Sequence, residues 1–189
     1  MRIANLRLNL LRASVALPVL AALALSAAPA TAETHHVASR RPPATTAPKS
    51  LGKFEDWQAA THQEGKTLVC YAFTRATASA PVLAGRGEVV LTVAQRPGAR
   101  DTVAISAGFA YAAGAAAAVA VDQQPPLEFY TAQRSAFARD GAATVALLRK
   151  GSRVVVKSPG PKNSTVTDQF SLRGFEAAYA AAVKACPGK

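Results

Sequence analysis

Thr67-Leu68-Val69-Cys70-Tyr71-Ala72-Phe73-Thr74-Arg75 is the stretch on which the fold turns. Side chains alternate across a strand, so Val69, Tyr71 and Phe73 fall on one side and Leu68, Cys70 and Ala72 on the other. Both sides are apolar, and both faces of this strand are expected to be at least partly buried. The pattern recurs downstream. Glu88 to Arg96 places Val89, Leu91 and Val93 on one face and ends in the turn signal Arg96-Pro97-Gly98, after which Asp101 to Ala107 reads as the return strand of a hairpin. Ala117 to Val121 and Leu127 to Thr131 are further strands, separated by Asp122-Gln123-Gln124-Pro125-Pro126. Arg153 to Lys157 and Thr165 to Leu172 make a late pair around Ser158-Pro159-Gly160-Pro161. The alanine-rich tract 112–120 reads as strand or irregular chain rather than helix, because Gly108 and Gly114 punctuate it.

Two helices interrupt these strands. Asp140 is a suitable N-cap for Gly141 to Lys150, which closes with Arg149 and Lys150 before Gly151. From Phe175 to about Ala185, helical spacing sets Phe175, Tyr179, Ala182 and Cys186 along one stripe, so the cysteine faces inward. Phe54 and Trp57, around Glu55-Asp56, supply the first large apolar groups. The expectation is a strand-dominated α+β single domain, an antiparallel sandwich or a barrel-like sheet, sealed by its last helix.

The chain ahead of that domain has a different character. Arg2, Arg7 and Arg12 precede an uncharged run from Ala13 to Ala28, and Ala30 and Ala32 give the small-x-small pattern of a signal-peptidase site. The run is too short to span ~30 Å of hydrocarbon and contains Pro18, which argues against a transmembrane anchor. Residues 1–32 therefore read as a signal peptide cut after Ala32, with Ala30 as second choice, and the product is expected to be periplasmic or secreted. Losing three arginines lowers the formal charge from +11 to +8 on the remaining 157 of 189 residues. Residues 33–50, rich in Ala, Thr, Pro and basic side chains, read as a disordered tether. Residues 51–189 form the domain. In an exported chain, Cys70 and Cys186 with no third cysteine suggest one structural disulfide tying the last helix to an early strand.

The sequence carries no catalytic constellation. His35 and His36 fall in the tether and His62 in a polar loop beside Gln63-Glu64-Gly65, none set against a nucleophile and a carboxylate. No phosphate-loop or dinucleotide fingerprint is present, and no cofactor is expected. Cleavage after Ala32 would create the terminus Glu33-Thr34-His35, whose amine and imidazole suit square-planar Cu(II) or Ni(II), against the simpler reading of solvated tether residues. Arg149, Lys150, Arg153 and Lys157 are candidate contacts for an anionic polymer or lipid, or else an ordinary solvated face. Nucleic acid is not expected as a partner, because export removes it and aromatic-basic interleaving is missing.

Several short elements in order carry a family resemblance. They are Phe54-Glu55-Asp56-Trp57, Cys70, Val90 to Pro97, Asp101 to Ser106, Leu148-Arg149-Lys150-Gly151 into Val154-Val155-Val156, Thr167 to Phe175, and Cys186-Pro187. From Phe54 to Pro187 the chain resembles the invasion-associated locus B family of exported Gram-negative proteins. The long tether and the alanine-rich tract depart from that pattern. The resemblance implies a non-enzymatic periplasmic or envelope-associated protein, with some relatives linked to host-cell invasion, and the basic face suggests that it engages an envelope or host-surface protein, or an anionic polymer or lipid. The alternative is a small periplasmic inhibitor or chaperone-like module that uses an exposed edge strand or loop. The Phe-x-Asp-Trp and Asp-x-Phe-Ser-Leu-x-Gly-Phe elements are expected to be fold determinants, aromatics packing the ends of a core, rather than a ligand site.

Overall fold

The computed structural model describes residues 47–188. The signal segment, the Glu33-Thr34-His35 terminus and the tether as far as Thr46 lie outside the described residues. Folded chain begins ahead of Phe54, with β1 (Lys49–Phe54), so Lys49 and Ser50 belong to a strand rather than to the tether. A turn at Glu55-Asp56 leads to β2 (Trp57–Glu64). His62 thus lies in a strand, opposite Val69, and not in a loop.

β3 (Thr67–Arg75) has the expected span, and β4 (Ala78–Ala80) follows it directly. β5 (Val90–Arg96) and β6 (Ala99–Ser106) form the hairpin marked by Pro97-Gly98. Glu88 and Val89 precede the strand rather than belonging to it. β7 (Ala116–Val121) occupies the end of the alanine-rich tract, followed by β8 (Leu127–Ala132) and β9 (Ser135–Ala138). After α1 (Gly141–Leu148) come β10 (Arg153–Pro159), β11 (Thr165–Ser171) and α2 (Phe175–Ala185). The Asp140 carboxylate accepts from the Ala143 amide at 2.9 Å, as an N-cap should. At the other end of α1 the Gly151 amide donates to the Leu147 carbonyl.

The strands pair antiparallel in the order β1-β2-β3-β5-β6-β9-β8-β7-β10-β11-β4. Because β4 continues β3, this order closes on itself. The first part of β3 pairs with β2, and β4, beyond Arg75, pairs with β11. β2 and β11 therefore meet end to end along one edge of the β3–β4 strand, and the sheet is barrel-like rather than a sandwich. The seam is made by the Trp57 indole, which donates to the Ser171 carbonyl at 2.9 Å, and by the Asp56 amide, which donates to the Arg173 carbonyl at 3.3 Å. Inside, Ala72, Val93, Val103, Val119, Val154 and Phe170 fill the barrel with Val145 and Leu148 of α1 and Phe175 and Ala178 of α2. The Cys70–Cys186 disulfide, with sulfurs 2.07 Å apart, fastens the end of α2 to β3.

The two short aromatic motifs form one joint. The Trp57 and Phe175 rings lie 4.7 Å apart, and Arg173 reaches Glu55 at 2.9 Å. Gly174 enters α2 with φ of 85°, and a methyl group on it would collide with the Phe54 carbonyl. Both the backbone conformation and the close approach require glycine here. Gly174→Ala is expected to cost about 3 kcal/mol, combining left-handed strain with displacement of β1. Gly114 has a similar φ of 73° with nothing near its missing Cβ, so Gly114→Ala should cost only about 1 kcal/mol. Equal losses in thermal unfolding would show that conformation alone, and not the joint, fixes Gly174.

Candidate functional site

Antiparallel register decides which side chains share the outside of the barrel. One cross-strand row runs Phe73, Thr92, Ala104, Phe137 and Tyr130, through successive pairings of β3, β5, β6, β9 and β8. The next row holds Ala60, Tyr71, Ala94 and Thr102, and a third pairs Ser106 with Ser135. Small residues from β5 and β6 thus form a floor, with aromatic rings at both sides. Tyr71 and Phe73 are 5.6 Å apart on one side, with His62 edge-on to Tyr71 at 5.3 Å. Phe137 and Tyr130 stack at 5.5 Å on the other. Between these pairs lies a trough of about 270 Å³ whose aromatic lining is His62, Tyr71 and Phe137, with Phe73 and Tyr130 packed behind them.

Its polar groups are few and of two kinds. The hydroxyls of Thr92, Ser106 and Ser135 have no hydrogen-bond partner among the described residues. Charge is confined to one end, where Arg96 donates through Nε and Nη2 to the Glu64 carboxylate at 3.2 and 2.8 Å. The Arg96 hydrogen bonds, and then that of His62 at 2.9 Å, hold the Glu64 carboxyl down at about 2. Glu64 is therefore a spent acceptor at neutral pH, not a general base. Burial raises the Tyr71 phenol above its ordinary value, keeping it a neutral donor. His62 does touch a carboxylate, Glu64 at 2.9 Å, a contact that the reading of His62 as a loop residue did not foresee.

Two further networks are buried or half-buried. Arg86 makes two bonds of 2.8 and 2.7 Å to Asp168, donates to the Ala107 carbonyl at 2.7 Å and lies over the Phe109 ring. Ser79 adds a third donor to Asp168 at 2.7 Å. Asp101 accepts from the buried Gln95 amide and from Tyr179, both at 2.7 Å. Burial, and then the Asp101 hydrogen bond, push the Tyr179 phenol up to about 12. These groups are saturated by one another and brace loops and α2 against the sheet.

The four basic residues singled out from sequence do not converge. Arg149 is engaged by Glu176 in two bonds of 2.7 Å, which neutralises it locally. Lys150 follows α1. Arg153 and Lys157 stand on the outward side of β10, four residues or about 14 Å apart, beside Ala118, Ala120 and Thr167 of the neighbouring strands. They make a spaced row rather than a pocket. No group of three metal-ligating side chains occurs among the described residues, and no helix among them is long and apolar enough to cross a membrane. Sequence reading missed the trough. Its one visible trace was the second apolar face of the Thr67–Arg75 strand, which the barrel leaves on the outside.

Comparison with known proteins agrees with this architecture. A crystal structure of invasion associated protein B from Bartonella henselae superposes with a TM-score of 0.52 at 16% sequence identity, covering 71% of this chain and 96% of that one. That likeness is one of fold. No curated protein matches the sequence. The sequence model described as Invasion associated locus B (IalB) protein matches residues 57–183, a span that contains Trp57, both sides of the trough, the Arg86–Asp168 pair and Gly174. Nothing in that description names a catalytic activity. With most of its length matched, and with its aromatic joint and closed antiparallel sheet in place, this chain belongs to the invasion-associated locus B family.

Proposed function

We propose that the protein is exported and acts without catalysis, by binding an envelope or host-surface component in the outer trough. One observation carries this reading: on a barrel whose interior is filled, aromatic rings flank a strip of outer sheet where the Thr92, Ser106 and Ser135 hydroxyls have no partner among the described residues. Rings beside unsatisfied polar groups are what a recognition surface offers, since aromatics supply contact area and the polar groups supply orientation. The basic-face reading has less support, because Arg149 is already paired and Arg153 and Lys157 are spread along one strand. The inhibitor or chaperone-like reading would use an exposed edge strand or a loop, and the edge-strand form of it has less support. β1 is the outermost strand, but it carries Lys49 and Lys53 and a register shift between Ser50 and Gly52, devices that discourage strand addition.

The test is retention of the disulfide-bonded protein on separated envelope fractions of polysaccharide, lipid vesicles and protein. Tyr71→Ala/Phe137→Ala, and separately Ala104→Gln, which fills the floor, should weaken retention at least about tenfold, the scale of losing a central contact. Arg153→Glu/Lys157→Glu should leave it nearly unchanged. The opposite ranking would sink the trough reading in favour of a basic-face one. Circular dichroism melts of each variant separate lost binding from lost fold.

A further inference from the structure

Resting on that reading, we infer that the trough takes a glycan chain, pyranose units lying along the strands with their C–H faces against the aromatic walls. Three features select this chemistry. The walls stand on β3 and β9, three strand spacings or about 14 Å apart, a width that lets a pyranose ring lie on the small-residue floor between them. Thr92, Ser106 and Ser135 present hydroxyls with no partner among the described residues. An acyl chain or the apolar face of a helix would seal these groups away from water at about 1–3 kcal/mol each. A sugar hydroxyl replaces that water. β5 and β6 are also hydrogen-bonded on both edges, so the floor offers no main-chain ladder to an extended peptide.

The charges fit the same occupant. Glu64, the acid at the trough's end, is paired with Arg96 at 2.8 Å, so its charge is offset locally. Arg96 uses Nε and Nη2 on Glu64, which leaves Nη1 without a partner among the described residues. That nitrogen is a donor for a ring hydroxyl, an acetamido oxygen or a uronate carboxylate at the end of the bound chain. The neighbouring Glu88 and Glu128 are likewise held by Arg75 and Arg139.

The experiment is amide-resolved NMR titration of the disulfide-bonded protein with soluble hexasaccharides of β-1,4-linked glucose, N-acetylglucosamine and mannose, and of α-1,4-linked galacturonate. At least one should give saturable shifts centred on Phe73, Thr92, Ala104 and Phe137. Phe137→Ala should then weaken that binding about tenfold or more, and Thr92→Ala or Ser135→Ala roughly three- to tenfold each. A neutral sugar binding as well as galacturonate would mark hydroxyl recognition. Preference for galacturonate, lost in Arg96→Gln, would mark the same trough reading an acidic glycan. Absence of trough shifts with every hexasaccharide, or shifts confined to the Lys150, Arg153 and Lys157 face, overturns the inference. If trough variants still abolish retention on envelope protein or lipid fractions while no sugar binds, the glycan assignment fails and the binding surface stands. If retention is indifferent to those variants, both fall.

Discussion

Asp168→Ala is expected to lower stability by about 3–5 kcal/mol, the usual cost of leaving one member of a buried ion pair unpartnered. Asp168 is 1% exposed and the Arg86 side chain 7%, so water cannot replace the lost carboxylate. The damage should spread, because Arg86 sits on the segment between β4 and β5 and ties it both to β11 and, through the Ala107 carbonyl, to the end of β6. The charge itself is not expected to be a net source of stability. Desolvating the two ions offsets most of their attraction, and Arg86→Met/Asp168→Leu should recover much of what either single change loses. Urea unfolding of the two single variants and the double variant closes the cycle. An Asp168→Ala protein within about 1 kcal/mol of the parent would show that the pair is bypassed by its other hydrogen bonds.

Opening the Cys70–Cys186 bridge should have an effect of similar size by a different route. The cysteines are separated by 116 positions, and a cross-link over such a loop contributes on the order of 4–5 kcal/mol by restricting the unfolded chain. Cys70→Ser/Cys186→Ser, or reduction in dithiothreitol, is expected to lower the melting temperature by roughly 10–15 °C. The folded form should keep its far-ultraviolet spectrum below that temperature, because α2 is also held by Phe175, Ala178 and Ala182, all buried. A change of less than about 3 °C would mean that the unfolded chain is compact enough to make the link redundant.

The parts of the fold legible in sequence are those whose own side chains announce their burial. Val69, Tyr71 and Phe73 define β3 to its ends, Pro97-Gly98 fixes the β5–β6 hairpin, and Asp140 and Gly151 bracket α1. β2 was hidden because, beyond Trp57, its inward positions are only Ala59 and Thr61, with His62, Gln63 and Glu64 reading as polar loop. It is a strand because β1 and β3 hold both its edges. β4 and β9, of three and four residues, have no periodicity to read. The disulfide was accessible because two cysteines admit a single intrachain pairing. Arg86 and Asp168, 82 positions apart, could not be paired from one chain. The trough was beyond reach for a related reason, since Phe73, Thr92, Ala104 and Phe137 become neighbours only once the register of four strands is set.

Lys49 stands opposite Thr61, and Thr61 opposite Cys70, on one row across β1, β2 and β3. Cys70 thus lies about 10 Å from Lys49, two strand spacings, and Cys186 is bonded to it with the two Cα atoms 5.8 Å apart. The shortest covalent path between Lys49 and Cys186 therefore runs along residues 49–70 and across the sulfurs. Tension applied between these two points would unzip β1 and then β2 from the sheet and stop at Cys70. Residues 71–185, which include the floor and the far wall of the trough, carry none of that strain while the bridge is intact. A protein pulled from both ends in this way would lengthen by one hairpin and open the seam between Trp57 and Ser171, while β3 to β11 keep their pairing.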